Sequence, residues 1–323
     1  IPRLLAADPQ RLLRADGSGL DPAAVARTAM QDEKPGGHGD RAGAVAALEL
    51  AAWDLDAKLA DAPAWAHIAA TLGTRPHRDG VPVYAAGGYY DPADSVARLR
   101  DELAGYRDRG YDAFKIKIGG APLADDLRRV EAAIAVAGSA DRVAVDANGR
   151  FDRAAARAWG DALRGFGLRW YEEPVDPLDY AALAAVARHY PGALATGENL
   201  FSAIDAANLL RFGGLRPDRD VLQMDPGLAY GLTEYLAILA HAEAAGFPRA
   251  RCIPHGGHLL NLHIATALGL GGCEAYPGVF RPFGGYAPEC ALHDGRIRPG
   301  DAPGFGLERK PELAPHIAAL LEG

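Results

Sequence analysis

The hydrophobic and polar positions of the chain follow two different patterns, which change near residue 80. Before that point the sequence predicts two helices, one after Asp21-Pro22 and one from about Gly43 to Leu59. The Gly-rich polar stretch between them, Asp32 to Gly39, is typical of a loop that can lie close over another surface. From residue 81 onward, short apolar runs alternate with helical stretches rich in Ala, Leu and Arg.

Eight of these apolar runs predict strands. They begin near residues 81, 113, 142, 169, 194, 221, 251 and 271, and a helical stretch follows each of the first seven. Alternating strands and helices indicate parallel βαβ units, and eight such units close naturally into a barrel. A doubly wound sheet is the alternative, but the phosphate-cradling Gly-x-Gly-x-x-Gly signature is absent after the first strand. We therefore expect an α/β fold with a (β/α)7β TIM-like barrel over residues 81–280.

Composition narrows the class of protein without identifying its chemistry. The 323 residues carry a net charge of −8, so the basic excess typical of a nucleic-acid binder is missing. No apolar run approaches the roughly 18 residues that a membrane span requires. An odd number of cysteines, three, argues against a disulfide scaffold. We expect a cytoplasmic protein that binds neither nucleic acid nor membranes.

The second predicted strand carries two lysines on one face. Residues two apart in a strand share a face, so Lys115 and Lys117 point together while Phe114, Ile116 and Ile118 point the other way. If the apolar set faces the helices, both ammonium groups lie inside the barrel, and each lowers the pKa of the other. The alternative is an exposed edge strand with two solvated lysines.

Three carboxylates end the next three predicted strands at a constant spacing. Asp146, Glu172 and Glu198 are separated by 26 residues each, one βα unit, which places them on adjacent strand ends. Converging carboxylates stay ionised only beside a cation, and oxygen ligands suit Mg²⁺, with Mn²⁺ as a substitute. Spacing alone leaves Glu173 as an alternative to Glu172. Three unrelated ion pairs with helix arginines are the other interpretation.

The last three predicted strands end in Asp225, His255 and Glu274. An aspartate beside a histidine holds one tautomer of the ring and stabilises the imidazolium, which suits a general acid or base. Glu274 could donate a hydrogen bond if protonated, or could pair with a cation. His258 and His263 lie on the following helix and are weaker candidates.

Together these strand-end motifs resemble the enolase superfamily, specifically its mandelate racemase-like group. The set consists of Lys-x-Lys, Asp-x-Asn, Glu-Glu-Pro, Gly-Glu-Asn, Asp and His on strands 2 to 7, and it covers nearly the whole chain from about residue 30. Stretches within 33–39, 84–90, 190–202 and 253–258 resemble the branch of that group that dehydrates D-tartrate.

The resemblance implies roles for these residues. Asp146, Glu172 and Glu198 would hold Mg²⁺, Lys117 would abstract the α-proton, and its pKa would be lowered by Lys115 and the metal. Lys115 would also pair with the substrate carboxylate, and His255, oriented by Asp225, would protonate the departing hydroxyl. Oxaloacetate would form from D-tartrate. The expected substrate contacts are Lys34 in the covering loop, Tyr89 with Tyr90 as an alternative, Asn148, Asn199 and Glu274.

The resemblance also implies an α+β capping domain, built from residues 1–80 and 281–323 around the barrel. The same resemblance leads us to expect that most of the family's N-terminal capping strands are missing before Ile1. Homo-oligomers are expected on the same ground. The small-molecule partner would be a hydroxy acid.

Other activities fit part of this pattern. A racemase or epimerase needs a base on each face of the substrate carbon, and Lys117 and His255 could supply both. A larger acid sugar, such as an aldonate or galactarate, could replace tartrate. A Schiff-base aldolase would use a lysine without a metal, and a non-catalytic acid-binding protein would keep only the metal site. The three spaced carboxylates argue against the aldolase, and the intact lysine and histidine set argues against the binding protein.

Overall fold

The computed structural model describes residues 1–92 and 95–321. The strands found there are β1 Val81–Ala86, β2 Phe114–Lys117, β3 Val143–Asp146, β4 Trp170–Glu172, β5 Leu194–Thr196, β6 Val221–Leu222, β7 Cys273–Ala275, β8 Leu292–His293 and β9 Arg296–Ile297. The α-helices are α1 Pro2–Ala6, α2 Pro22–Ala29, α3 Gly39–Leu59, α4 Ala64–Leu72, α5 Ser95–Asp108, α6 Leu123–Ala137, α7 Arg153–Leu163, α8 Tyr180–His189, α9 Ala203–Phe212, α10 Leu232–Ala244, α11 Leu259–Leu268 and α12 Ala314–Leu321.

A curled, mostly parallel sheet forms the centre of this α/β fold. Strands β1 to β6 pair in sequence order, and β7 pairs in parallel with β1 on its other side. The hairpin β8–β9 joins the beginning of β1 in antiparallel fashion, through Val81 and Ile297. Because the strands from β1 to β7 run in the same direction, their carboxyl ends lie along one rim of the sheet.

One predicted strand is not a regular strand. The run near residue 251 begins with a 3₁₀ turn, Arg249–Arg251, and Cys252 forms a single parallel bridge to Leu222. The Ile253 and His255 amides donate to the Leu222 and Gln223 carbonyls at 2.9 and 3.2 Å, and Pro254 between them has no N–H to donate. His255 is therefore carried by an extended segment beside β6, and not by a strand.

Alternation within the strands separates two apolar layers. Phe114, Ile116 and Ile118 pack into the large core beneath the helices. The opposite face of the sheet holds a separate small cluster of buried side chains: Tyr84, Ala113, Ala144, Trp170, Ala195, Val221 and Ile253. This second layer fills the inside of the curled sheet below the rim. The polar side chains at the strand ends therefore lie directly above packed apolar side chains.

The two ends of the chain pack against the helices that flank the sheet. Helix α2 begins where predicted, because Asp21 accepts a hydrogen bond from the Ala24 amide at 3.1 Å. Helix α3 begins at Gly39, four residues before the predicted start, and Asp40 lies in its first turn. In the C-terminal segment, the Gly304 carbonyl accepts a hydrogen bond from the Ala64 amide at 2.7 Å.

Across the described residues, no helix combines the length and the apolar character that crossing a membrane requires.

Candidate functional site

Three carboxylates meet at the rim of the sheet. Asp146 and Glu172 are the last residues of β3 and β4 and face each other in register, and Glu198 follows β5 by two residues. One oxygen from each of the three side chains lies within 4.8 Å of the other two. Asp146 and Glu172 have no exposed surface, so their mutual repulsion is poorly screened by water.

Two lysines of β2 supply positive charge to this cluster. Lys115 Nζ lies 2.6 Å from Glu172 Oε1 and 2.7 Å from Glu274 Oε1. Lys117 Nζ donates to Asp146 Oδ2 at 2.5 Å. Strand β2 lies between β1 and β3, so the edge-strand alternative for these lysines is wrong.

The pKa of Lys117 differs from the sequence-based expectation. Burial and Lys115 both lower it, but the attraction of Asp146 outweighs them and raises the pKa above its usual value. The pKa of Lys115 is raised in the same way, because Glu172 and Glu274 outweigh burial. The expected lowering rested on the like charge of Lys115 and on a bound metal, whereas in this arrangement the neighbouring carboxylates outweigh the like charge.

The carboxylate cluster remains short of positive charge. Burial, and then repulsion from Asp146, Glu198 and Glu274, raise the pKa of Glu172 well above its usual value. Glu198 Oε2 is buried and accepts no hydrogen bond from any residue in the described ranges. A buried oxygen that accepts no hydrogen bond from a described residue, beside two further carboxylates, fits a hard divalent cation such as Mg²⁺, whose ligands are oxygens.

Glu173, the alternative ligand, points away from the cluster. Asn199 Nδ2 donates to both of its carboxylate oxygens at 3.0 Å. Burial and then repulsion from Glu198 raise the pKa of Glu173 to about 8. By contrast, Glu172 Oε2 accepts from Trp170 Nε1 at 2.8 Å and from Gln223 Nε2 at 2.9 Å, which fixes its orientation.

A histidine and an aspartate, His255 and Asp225, lie beside the carboxylate cluster near the end of β6. His255 Nδ1 is 3.3 Å from Asp225 Oδ2, and its Nε2 is 3.7 Å from Glu198 Oε2. Burial alone would lower the pKa of His255, but Asp225, Glu274 and Glu198 raise it to about 10. The imidazole is therefore protonated near neutral pH in this arrangement.

Glu274 is a partner for cations, and not a hydrogen-bond donor. Burial would raise its pKa, but Lys115 and His255 outweigh burial and lower it, so the carboxylate stays ionised. Its Oε2 accepts from the Gly256 amide at 2.9 Å. Of the two interpretations drawn from the sequence, the ion pair is the one found.

The predicted substrate contacts divide into two groups. Tyr89 and Asn148 line the site. The centroid of the Tyr89 ring lies 5.5 Å from Lys117 Nζ, and Asn148 Nδ2 donates to Asp146 Oδ2 at 3.2 Å. Asn199 donates to Glu173 and does not contact the three clustered carboxylates directly in the described hydrogen bonds. Lys34 is exposed, and only its backbone carbonyl has a described partner, Arg41 Nη1 at 2.9 Å.

Tyr90, the alternative to Tyr89, contacts helix α6 and not the carboxylate cluster. The Tyr90 hydroxyl donates to Asp126 at 2.7 Å, and its ring stacks against the Arg129 guanidinium at 4.4 Å. Both partners belong to α6, which packs on the outer face of the sheet. The Tyr90 side chain is therefore bound to α6.

Several functional contacts were missed in the sequence. Tyr276 Oη lies 2.9 Å from His255 Nε2, and Asn261 Nδ2 donates to Asp225 Oδ1 at 2.9 Å. Tyr276 comes two residues after Glu274 and directly follows β7, so the same alternation that placed the two lysines on one face could have found it. Asn261 carried no such signal, because it reaches Asp225 from helix α11.

Known proteins are similar to this chain in sequence and in structure. A family model described as "Enolase C-terminal domain-like" matches residues 98–313. L-talarate/galactarate dehydratase of Salmonella typhimurium LT2 is 30% identical over 82% of this chain. Arabinonate dehydratase of Saccharolobus solfataricus is 32% identical over 69% of this chain. The chain spans 62% and 58% of the length of these two relatives.

A solved structure of a dehydratase is also similar to this chain. L-talarate dehydratase from Polaromonas sp. JS666, complexed with Mg and L-glucarate, has a TM-score of 0.74 and 28% identity. The similarity covers 88% of this chain and 74% of that one. The family match spans most of the chain, and sequence and structural relatives agree with it. The chain therefore belongs to the enolase superfamily, in the group of mandelate racemase and muconate lactonizing enzyme.

Proposed function

We propose that this protein is a Mg²⁺-dependent dehydratase that converts a 2-hydroxy acid of the acid-sugar class into a 2-keto acid. The observation that carries the proposal is the meeting of Asp146, Glu172 and Glu198 within 4.8 Å, with a buried oxygen of Glu198 that accepts no hydrogen bond from the described part of the chain. The lysine pair and the His255–Asp225 pair flank that cluster and supply a base and an acid. The dehydratases among its relatives support the reaction class.

Proton removal falls to Lys117 in this proposal. Its side chain is 16% exposed, whereas Lys115 is 2% exposed and lies against two carboxylates. Lys117 takes the proton from the carbon next to the substrate carboxylate, and that C–H electron pair becomes the new C=C bond. Lys115 stays charged and attracts the substrate carboxylate.

His255 completes the elimination. Asp225 holds its Nδ1 edge, and Nε2 gives its proton to the β-hydroxyl as the C–O bond breaks and water leaves. The enol product then tautomerises to the 2-keto acid. A divalent cation held by Asp146, Glu172 and Glu198 would supply positive charge that offsets the negative charge developing on the substrate carboxylate.

Within this class we propose D-tartrate, which would give oxaloacetate. The support is the resemblance of residues 33–39, 84–90, 190–202 and 253–258 to the D-tartrate-dehydrating branch. Named relatives act on the larger acid sugars talarate, galactarate and arabinonate, which are therefore the competing substrates.

The curled sheet also supports a closed (β/α)7β barrel, with residues 1–80 and 281–323 as parts of the cap. The supporting contacts are the bridge from Leu222 to Cys252, the hydrogen bond from the Gly271 amide to the Cys252 carbonyl at 3.1 Å, and the β7–β1 ladder. These link consecutive segments from β6 back to β1.

A turnover assay tests the proposal. D-, L- and meso-tartrate, galactarate, talarate and arabinonate are each incubated with the protein and Mg²⁺, and keto acid is measured with and without a chelator. Metal-dependent oxaloacetate from D-tartrate alone is the expected result. Keto acid from a larger acid sugar instead would overturn D-tartrate and keep the dehydratase. Returned hydroxy acid with an exchanged α-proton, without keto acid, would replace dehydration by racemisation.

A further inference from the structure

One edge of the His255 ring is fixed by a chain of hydrogen bonds. Nδ1 faces Asp225 Oδ2 at 3.3 Å. Asp225 Oδ1 in turn accepts from the Gly227 amide at 2.7 Å and from Asn261 Nδ2 at 2.9 Å. The backbone also packs closely against this aspartate, since a Cβ on Gly256 would lie 2.5 Å from Asp225 Oδ2, and the Nδ1 edge is therefore occupied. Only Nε2 can face the reacting groups.

Tyr276 is the closest partner of that nitrogen among the described contacts. Its hydroxyl oxygen lies 2.9 Å from Nε2, whereas the nearest oxygens of Glu198 and Glu274 lie at 3.7 and 3.8 Å. The phenol ring is itself held in place. It is 9% exposed and packs on the Phe280 ring at a centroid distance of 4.9 Å.

We propose that Tyr276 is a positioning residue for His255, and this proposal rests on the dehydratase function proposed above. Asp225 fixes the Nδ1 edge at 3.3 Å but leaves the ring free to tilt about that contact. A hydrogen bond from the opposite edge removes this freedom and directs Nε2 toward the cluster. The phenol oxygen lies 2.9 Å from Nε2, so the ring keeps the orientation in which Nε2 faces the cluster.

A positioning role of Tyr276 affects only one of the two steps, protonation of the departing hydroxyl. A general structural role would affect that step and α-proton removal together. Proton removal by Lys117 does not involve the His255 ring, whereas protonation of the departing hydroxyl does. Loss of the Tyr276 hydroxyl should therefore slow elimination and leave α-proton exchange unchanged. The net effect of a typical hydrogen bond corresponds to a rate change of about 3- to 10-fold.

The test uses Tyr276→Phe, which removes the hydroxyl and keeps the ring against Phe280. Holoenzyme with Mg²⁺ and its best substrate is assayed in D₂O for deuterium uptake at the α-carbon and for keto acid. We expect kcat for keto acid to fall about 3- to 10-fold, with KM not raised and exchange retained. Equal losses of exchange and elimination, or no loss of either, would overturn the proposal.

Two comparisons make the result specific. Tyr190→Phe removes a hydroxyl from a buried tyrosine in the loop before β5, outside the site, and should leave the exchange-to-elimination ratio unchanged. His255→Asn should stop elimination and sets the upper limit for that ratio. A wild-type enzyme that neither exchanges nor eliminates would refute the dehydratase function, which is a separate outcome from equal losses in Tyr276→Phe.

A second measurement does not depend on turnover. ¹⁵N NMR of histidine-labelled protein reports hydrogen bonding at each ring nitrogen, and His255→Asn identifies the signals of His255. Tyr276→Phe should move the Nε2 resonance and leave Nδ1, which faces Asp225, in place. An unchanged Nε2 resonance would show that the tyrosine does not hold the ring.

Discussion

At the scale of single residues, Lys115 and Lys117 have the same chemistry and different surroundings. Lys115 lies within 2.7 Å of both Glu172 and Glu274 and is almost fully buried. Lys117 has one close carboxylate, Asp146, and retains some exposure. An amine held by two buried carboxylates cannot give up its proton without leaving them unpaired. The less constrained Lys117 is therefore the base in the proposed reaction.

Replacing Lys117 by Met tests this assignment, because Met keeps much of the length and removes the amine. We expect α-proton exchange to fall by about 10²- to 10⁴-fold, measured as deuterium uptake in D₂O. Metal binding, measured by calorimetry, should persist because Asp146, Glu172 and Glu198 are unchanged. Lys58→Met, at a surface ion pair with Asp54, is the matched control and should exchange normally. Exchange that survives in Lys117→Met would exclude Lys117 as the base.

At the scale of secondary-structure elements, the strand ends were predictable and the contacts between elements were not. Alternation in β2 predicted that Lys115 and Lys117 share a face, because that pattern depends only on neighbouring residues. The segment at Cys252 was wrongly predicted as a strand, because an apolar run does not show that the segment forms only a single bridge, to Leu222. Lys34 could not be placed, because the position of its loop depends on Arg41 in α3.

A buried glutamate links helices α3 and α10. Glu49 Oε2 accepts from the Leu232 amide at 2.9 Å, and its Oε1 accepts from the Thr233 amide at 3.0 Å. Trp53 Nε1 donates to the same carboxylate at 3.1 Å. The side chain of α3 therefore satisfies amides at the beginning of α10, where Gly231 supplies no capping side chain.

Glu49→Ala should destabilise the protein because it leaves these amides without acceptors. The expected loss is about 2–3 kcal/mol in the free energy of unfolding, measured by urea denaturation. Glu131→Ala, at an exposed position of α6, is the control and should change stability by less than about 0.5 kcal/mol. A Glu49 variant as stable as that control would show that the link between α3 and α10 contributes little.

At the scale of the whole molecule, the rim of the sheet concentrates negative charge at the centre of the fold. Glu198 repels Glu172, and this repulsion contributes to the raised pKa of Glu172. Repulsion among groups held together only in the folded state lowers the free energy of unfolding. A bound cation would reverse this effect, so metal binding and global stability should be coupled.

This coupling predicts that Mg²⁺ raises Tm, and that a chelator reverses the rise. At about 100 times Kd the added stability is about 2.7 kcal/mol, which calorimetry can resolve. Glu198→Gln should abolish the Mg²⁺-induced rise. Without Mg²⁺ the variant loses both the repulsion from Glu172 and the attraction of His255, so its stability should stay close to that of the wild type. Glu131→Gln should behave as the wild type. An undiminished response to Mg²⁺ in Glu198→Gln would show that the cation binds elsewhere.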